Sequence, residues 1–447
     1  MKKNLISCME IAKCHLGQLP DLTDADYAEF ANLLLHTIEE AKVAEITKKE
    51  EKTIAINLTM YYEDVIADSG IWRSFTSQVH SLYGKYLPFY AINEKTYLQD
   101  EPNIEDVKFL IWYTLVNSRR SSGEVFDPEA PFIEQLSGEI FDIMVEWFEK
   151  MPINETLQEV SRVSSYHVLD FYEMRDVLEW LCYDCYLTRI VNQDEVIREE
   201  AGKVVDWVDK SMTVAKEAVK HTIPFRTKVG PLALSPQKWF SMILKNQPGQ
   251  EECELAWDIE AMDCEPFGVF EILDADENDG MTLMDVYGEE FYISNVEMEY
   301  PPSVSYSSKG IISSFVMYKD RWFLNADSLW TKEDWFDSAW KKVEREWEKK
   351  NKKYTEQSDL LSNGLVDEDK FRAYWKRKRG NLKMALEFSS ELLKGVVEQN
   401  LLPNLRLKAI GADAKRGKQL FRENYDFLAR CLARENYEDV EVLTPMI

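Results

Sequence analysis

The chain has 447 residues, 45% hydrophobic and 12% aromatic, with only 17 glycines and 15 prolines; this excludes disorder throughout and provides for at least one substantial core. Its net charge of −27, from 53 basic and 80 acidic residues, repels polyanions and anionic lipid on average, which excludes a protein that coats nucleic acid with its whole surface. From Thr331 onward, however, 24 lysines and arginines stand against 21 carboxylates, so the excess negative charge lies in the first 330 residues and the two regions are suited to different partners.

The opening residues, Met1-Lys2-Lys3-Asn4-Leu5-Ile6-Ser7-Cys8, end in a tripeptide resembling a lipoprotein cleavage box. Their apolar stretch is far shorter than the roughly 7 to 15 residues of an export signal. No window approaches the roughly 18 consecutive apolar residues of a membrane span. Seven cysteines are an ordinary and odd number, which speaks against a disulfide framework and for a reducing cytoplasm.

Up to about Lys245 the pattern is helical almost throughout. Asp24 to Val43 follows Thr23, a residue suited to N-capping, and sets Phe30, Leu33, Leu34 and Ile38 on one face. Ile104 to Val116 and Pro131 to Phe148 repeat that logic, with Ile133, Leu136, Ile140, Phe141, Met144, Val145 and Phe148 at three- and four-residue steps. Asp170 to Ile190 and Glu195 to His221 continue it. Ser121-Ser122-Gly123 and Met151-Pro152-Ile153-Asn154 read as interhelical loops.

After Gln247-Pro248-Gly249-Gln250 and Glu265-Pro266 the period becomes near-alternating. Gly268 to Leu273, Met281 to Val286, Phe291 to Ile293, Ile311 to Tyr318 and Arg321 to Leu324 are short, β-branched or aromatic, and separated by turn-forming residues. They predict a small sheet or barrel. The runs Val269-Phe270-Glu271-Ile272-Leu273, Leu283 to Glu290, Gly310-Ile311-Ile312 and Arg321-Trp322-Phe323 resemble a small SH3-like β-barrel module of uncharacterised bacterial proteins, over residues 267–328. Some of those proteins carry a SecA-type C-terminal zinc motif. No cysteine-rich tail follows here, so the resemblance brings neither ligand nor activity.

From Thr331 helices resume at Glu333 to Lys353, Asp367 to Arg379, Leu382 to Val397 and Lys415 to Arg434. The fold class is therefore mainly α with a small β module (α+β): a helical bundle or array, a barrel-like sheet and C-terminal helices. The expected division is an acidic helical domain over 1–248, a β module over 265–330 and a charged helical region over 331–447.

Short motifs are weighed by what their chemistry requires. Asp274-Ala275-Asp276-Glu277-Asn278-Asp279-Gly280 alternates carboxylates as a calcium loop does, but its glycine comes one residue late and its flanks read as strands, so a hairpin turn is expected. Cys182-Tyr183-Asp184-Cys185 has the spacing of zinc and redox pairs, yet no second pair completes four ligands, and its neighbours form a buried face. Structural cysteines are expected, with no metal and no cofactor assigned.

The histidines at 15, 36, 80, 167 and 221 form no metal-binding motif. His36, after three leucines, reads as partly buried; Glu217 and His221, four apart, read as surface chemistry rather than an acid–base couple. Phosphate loops and nucleophile elbows are absent. Paired acids such as Glu63-Asp64 and Glu199-Glu200 are no more than so acidic a composition supplies.

The densest basic run is Phe371-Arg372-Ala373-Tyr374-Trp375-Lys376-Arg377-Lys378-Arg379. Tyr374, Trp375, Lys376, Arg377, Lys378 and Arg379 are the candidate binding residues, either docking onto an acidic protein surface or holding phosphates while rings stack on bases. A catalytic set is not legible, and whether the chain is an enzyme stays open. The leading reading is a non-enzymatic cytoplasmic interaction or scaffold protein with a protein partner. A carboxylate-dependent hydrolase is the second reading and single-stranded nucleic-acid binding the third, and no small-molecule ligand is assigned.

Overall fold

The computed structural model describes residues 5–18, 20–119, 124–162, 170–207, 211–247, 249, 253–276, 279–286, 288–297, 308–326, 329–331, 336–345, 408–410 and 427. The chain forms two compact units: Met1–Val191 with Thr227–Glu260 and Glu398–Thr444, and Asn192–Arg226 with Ala261–Val397 and Pro445–Ile447.

The first unit is built from α1 (Cys8–Ala12), α2 (Asp24–Ala41), α3 (Lys48–Ala67), α4 (Ile71–Tyr83), α5 (Ile104–Ser118), the short strand β1 (Glu124–Phe126), α6 (Pro131–Trp147), α7 (Glu155–Glu159) and α8 (Phe171–Tyr183). The expected amphipathic period describes α2 and, apart from Val145, which is exposed, α6. α5 departs from it: Val107, Phe109, Leu110, Ile111, Trp112, Leu115 and Val116 are all buried, so this helix is enclosed on every side and forms the axis of the unit. Phe30 of α2 stacks on Tyr62 of α3 with ring centroids 4.5 Å apart. Trp72, Phe75 and Phe109 join α4 to α5, with centroids 5.1 to 5.9 Å apart.

Helix ends are set by polar groups. A reciprocal box opens α3: Thr47 Oγ1 accepts from Glu50 N at 3.3 Å, and Glu50 Oε2 accepts from Thr47 N at 2.8 Å. The other Glu50 oxygen accepts from Arg119 Nε at 2.8 Å, fastening the start of α3 to the end of α5. Thr23, expected to cap α2, sits in the helical region of backbone space and caps nothing with its side chain; its hydroxyl instead donates to Asp21 at 2.9 Å. The helix expected to reach Ile190 stops at Tyr183, where the chain folds back so that Ile190 N donates to the Cys182 carbonyl at 2.8 Å. The 151–154 loop is present, Ser121-Ser122-Gly123 lie outside the described residues, and β1 is an unexpected strand among helices. It pairs in parallel with β8 (Lys408–Ile410).

The second unit begins with α9 (Gln193–Val204) and α10 (Met212–Lys220), two helices where one continuous helix was expected; Ser211 Oγ accepts from Val214 N at 3.4 Å and starts the second. The chain then returns to the first unit through α11 (Pro236–Lys245) and α12 (Glu254–Glu260). The β module follows: β2 (Asp263–Asp276), β3 (Gly280–Met284), β4 (Glu290–Ser294), β5 (Gly310–Tyr318), β6 (Arg321–Leu324) and β7 (Leu329–Thr331), then helical residues 336–345.

All pairings in this sheet are antiparallel, in the order β4-β3-β2-β5-β6, with β7 also on β5. The sheet curls into a half-barrel, and Phe291 of β4 meets Trp322 of β6 at 4.9 Å, joining the two ends of the strand path. Phe270, Met281, Leu283, Phe291, Ile293, Ile311 and Phe315 fill its concave side. β2 carries an extra residue at Glu265-Pro266-Phe267-Gly268, where proline, lacking an amide hydrogen, is tolerated. The α+β class expected from the change of period is what the chain adopts. Among the described residues no helix is long and apolar enough to cross a membrane.

Candidate functional site

Buried charge concentrates in the first unit, where the loop after α1, the start of α2, the C-terminal part of α3 and the 151–154 loop converge. His15 lies between two carboxylates: Nε2 is 2.8 Å from Glu63 Oε2 and Nδ1 is 3.2 Å from Asp24 Oδ1. Glu63 is fully buried, and its other oxygen accepts from Asn154 Nδ2 at 2.9 Å. Asn154 also caps α7 by accepting from Leu157 N at 3.0 Å. The remaining Asp24 oxygen accepts from Asp21 N at 2.8 Å. Burial works to lower the His15 pKa, but the hydrogen bond and charge of Glu63, with the charges of Asp24 and Asp21, outweigh it and raise it. Burial raises Asp24. The cluster is thus a buried imidazole between two carboxylates, whose charges favour its protonated form.

Asp64, the next residue on α3, faces elsewhere. It accepts from Ile71 N at 3.1 Å, Trp72 N at 2.7 Å, Tyr186 Oη at 2.8 Å and the Ser69 hydroxyl. It therefore occupies the N-terminus of α4, where unpaired amides and the helix dipole favour negative charge. Burial nevertheless raises its pKa. A third buried carboxyl, Asp106, receives Tyr61 Oη at 2.7 Å and Tyr97 Oη at 2.9 Å. Burial drives it up to about 7 against those hydrogen bonds.

Chemically, these groups are ligands of one another. Both oxygens of Glu63 and both of Asp64 accept hydrogen bonds from the protein, so these carboxylates serve as anchors for helix ends and for a buried histidine. Cys14, beside the cluster, is pushed up to about 11 by burial, which keeps its thiol protonated and a poor nucleophile.

A family model described as a protein of unknown function, DUF3843, matches residues 14–256. The chain belongs to the DUF3843 family. The matched stretch contains His15, Asp24, Glu63, Asp64, Asp106 and Asn154, and it ends before the half-barrel, so the DUF3843 match does not extend to the SH3-like resemblance. No curated protein and no solved structure matches the chain.

Tyr374, Trp375, Lys376, Arg377, Lys378 and Arg379 lie outside the described residues, as do Lys415, Arg416 and Lys418. Cys182 and Cys185 are buried and unoxidised, and burial raises both thiols, in keeping with a role as small apolar side chains. Among the described residues no group of three or more His, Cys, Asp and Glu side chains is arranged to hold a metal. His36 is corrected: its side chain is 60% exposed beside Glu40, and the buried histidine is His15. Of the paired acids, Glu63-Asp64 is buried while Glu199 is exposed. Nothing local distinguishes them, since Glu63 is 48 residues from His15 and Asp64 is 122 from Tyr186.

Proposed function

We propose that this DUF3843 protein is a non-catalytic interaction protein whose β module presents an acidic face to a basic protein partner. The observation that carries the reading is the outward side of β2, β3 and β4. With Phe270, Met281, Leu283, Phe291 and Ile293 turned inward, the register aligns Glu271 with Met284 and Glu290, and Asp274 with Thr282 and Tyr292. The three strands contain six carboxylates and no lysine or arginine. Tyr292, 47% exposed, stands among them, held by its hydroxyl donating to Asp279 at 2.9 Å. A tyrosine ring framed by carboxylates suits lysine and arginine side chains, whose charge pairs with the acids while the stem covers the ring.

Binding of a lysine- and arginine-rich peptide to the full chain tests this. Affinity should fall with salt, and the combined Asp274→Asn, Asp276→Asn, Glu290→Gln and Tyr292→Ala chain should bind at least tenfold more weakly. Equal affinity for the two chains would overturn the assignment of the face. Tighter binding of a single-stranded oligonucleotide than of the peptide, lost on neutralising Lys376, Arg377, Lys378 and Arg379, would favour the nucleic-acid reading instead.

A further inference from the structure

The match to the DUF3843 family ends at residue 256, yet the helical unit is completed by residues far beyond it. Phe427 is 2% exposed. Its ring lies 5.6 Å from Phe89, 5.9 Å from Phe109 and 6.1 Å from Trp112, centroid to centroid. Trp112 carries a second connection: its indole Nε1 donates to the Phe126 carbonyl at 2.9 Å, at the end of β1, where the register pairs Phe126 with Ile410 of β8. One side chain of α5 thus faces the aromatic anchor with its ring and holds the receiving strand with its N–H.

We propose that β1 and the aromatic pocket of Phe89, Phe109 and Trp112 form a docking groove for a peptide composed of a strand followed by an aromatic residue, and that the chain's own strand Lys408–Ile410 and its Phe427 are the occupants. Three paired residues in a two-stranded parallel ribbon hold little by themselves. A contact between residues 126 and 410 also closes a very long loop, at a large entropic cost. The ladder therefore sets direction and register, and the buried ring supplies the holding force. Phe89 supports this division: its φ is +69°, a left-handed backbone unfavourable for a bulky side chain and retained where packing over-determines it. Here its ring packs on both Trp112, at 4.7 Å, and Phe427. Because the occupant is tethered, it competes with any free peptide of the same chemistry.

The test uses full-length wild type and full-length Phe427→Ala, with a fluorescent peptide spanning residues 404–430 as the probe. The variant, its pocket vacated, should bind the peptide at least tenfold more tightly than wild type. The same peptide carrying Phe427→Ala should bind at least tenfold more weakly, which separates docking from attraction of a basic peptide to an acidic protein. Phe427→Leu, retaining apolar bulk, is measured in parallel and decides if the alanine chain does not fold: it too should bind more tightly than wild type. Equal binding by wild type and variants, or binding by none, would overturn the proposal.

Discussion

His15 illustrates how a single residue acquires its charge from its partners. A neutral imidazole has one donor, whereas two carboxylates face the two ring nitrogens here, at 2.8 and 3.2 Å. Replacing it by glutamine in His15→Gln removes the positive charge and leaves Glu63 and Asp24 buried together. Breaking a buried pair costs about 3 kcal/mol or more, to be seen as a lower urea midpoint at pH 6. The pH dependence has a defined sign. The folded His15 pKa lies above its unfolded value of roughly 6.5, so its stabilisation is complete below that pH and is lost as pH rises through the folded value. Wild type should therefore lose stability above about pH 6.5 more steeply than His15→Gln. Asp106, raised to about 7 from an unfolded value of roughly 3.9, acts in the same direction over a lower window. Its contribution is complete below about pH 4 and disappears by about pH 7, so melting curves of Asp106→Asn should be flatter across that interval. Glu50 acts oppositely. Burial works to raise it, but hydrogen bonds from Arg119, Ser118 and Thr47 prevail and hold it down at about 2. Its stabilisation is present above its unfolded value of roughly 4.3 and is lost as pH falls through the folded value.

At the scale of elements, the hairpin of β2 and β3 shows which local signals suffice. Asp-Gly between alternating runs predicted a turn, and the chain pairs Asp276 with Gly280 there. Gly280 is needed because a Cβ would lie 2.3 Å from the Ile293 carbonyl oxygen in the neighbouring strand. Gly280→Ala should force β3 from β4 and lower stability by about 2 kcal/mol, within the range for overpacked sites, measured by thermal melting of the full chain. β4 was legible because a strand with one buried face carries a period of two, whereas β5, buried on both faces, was legible from its β-branched and aromatic residues. Helix boundaries were less so. α8 ends at Tyr183 and α10 begins after Ser211 through hydrogen bonds to residues the helical period does not register. Asp64 caps α4 from another helix, so no N-cap signal precedes Ile71; Asp64→Ala should destabilise by roughly 2–3 kcal/mol, combining a lost cap with a buried tyrosine hydroxyl deprived of its acceptor.

For the whole molecule, the net charge of −27 excludes uniform polyanion binding however the chain folds, because long-range electrostatics depends first on the sum of charges. Composition and periodicity likewise sufficed for an α+β chain with strands near 268–324, since burying one face of a helix or sheet writes a repeat into neighbouring residues. The buried cluster left no such trace. His15, Asp24, Glu63 and Asn154 come from four separate stretches, and each alone is an ordinary polar residue in an acidic sequence. The choice of His15 over His36 as the buried histidine, the opposite assignments of Glu63 and Asp64, and the seating of Phe427 against Trp112 depend on contacts between residues remote in the chain. Folding settled these because desolvation and hydrogen bonding act on distances in space, which local patterns do not encode.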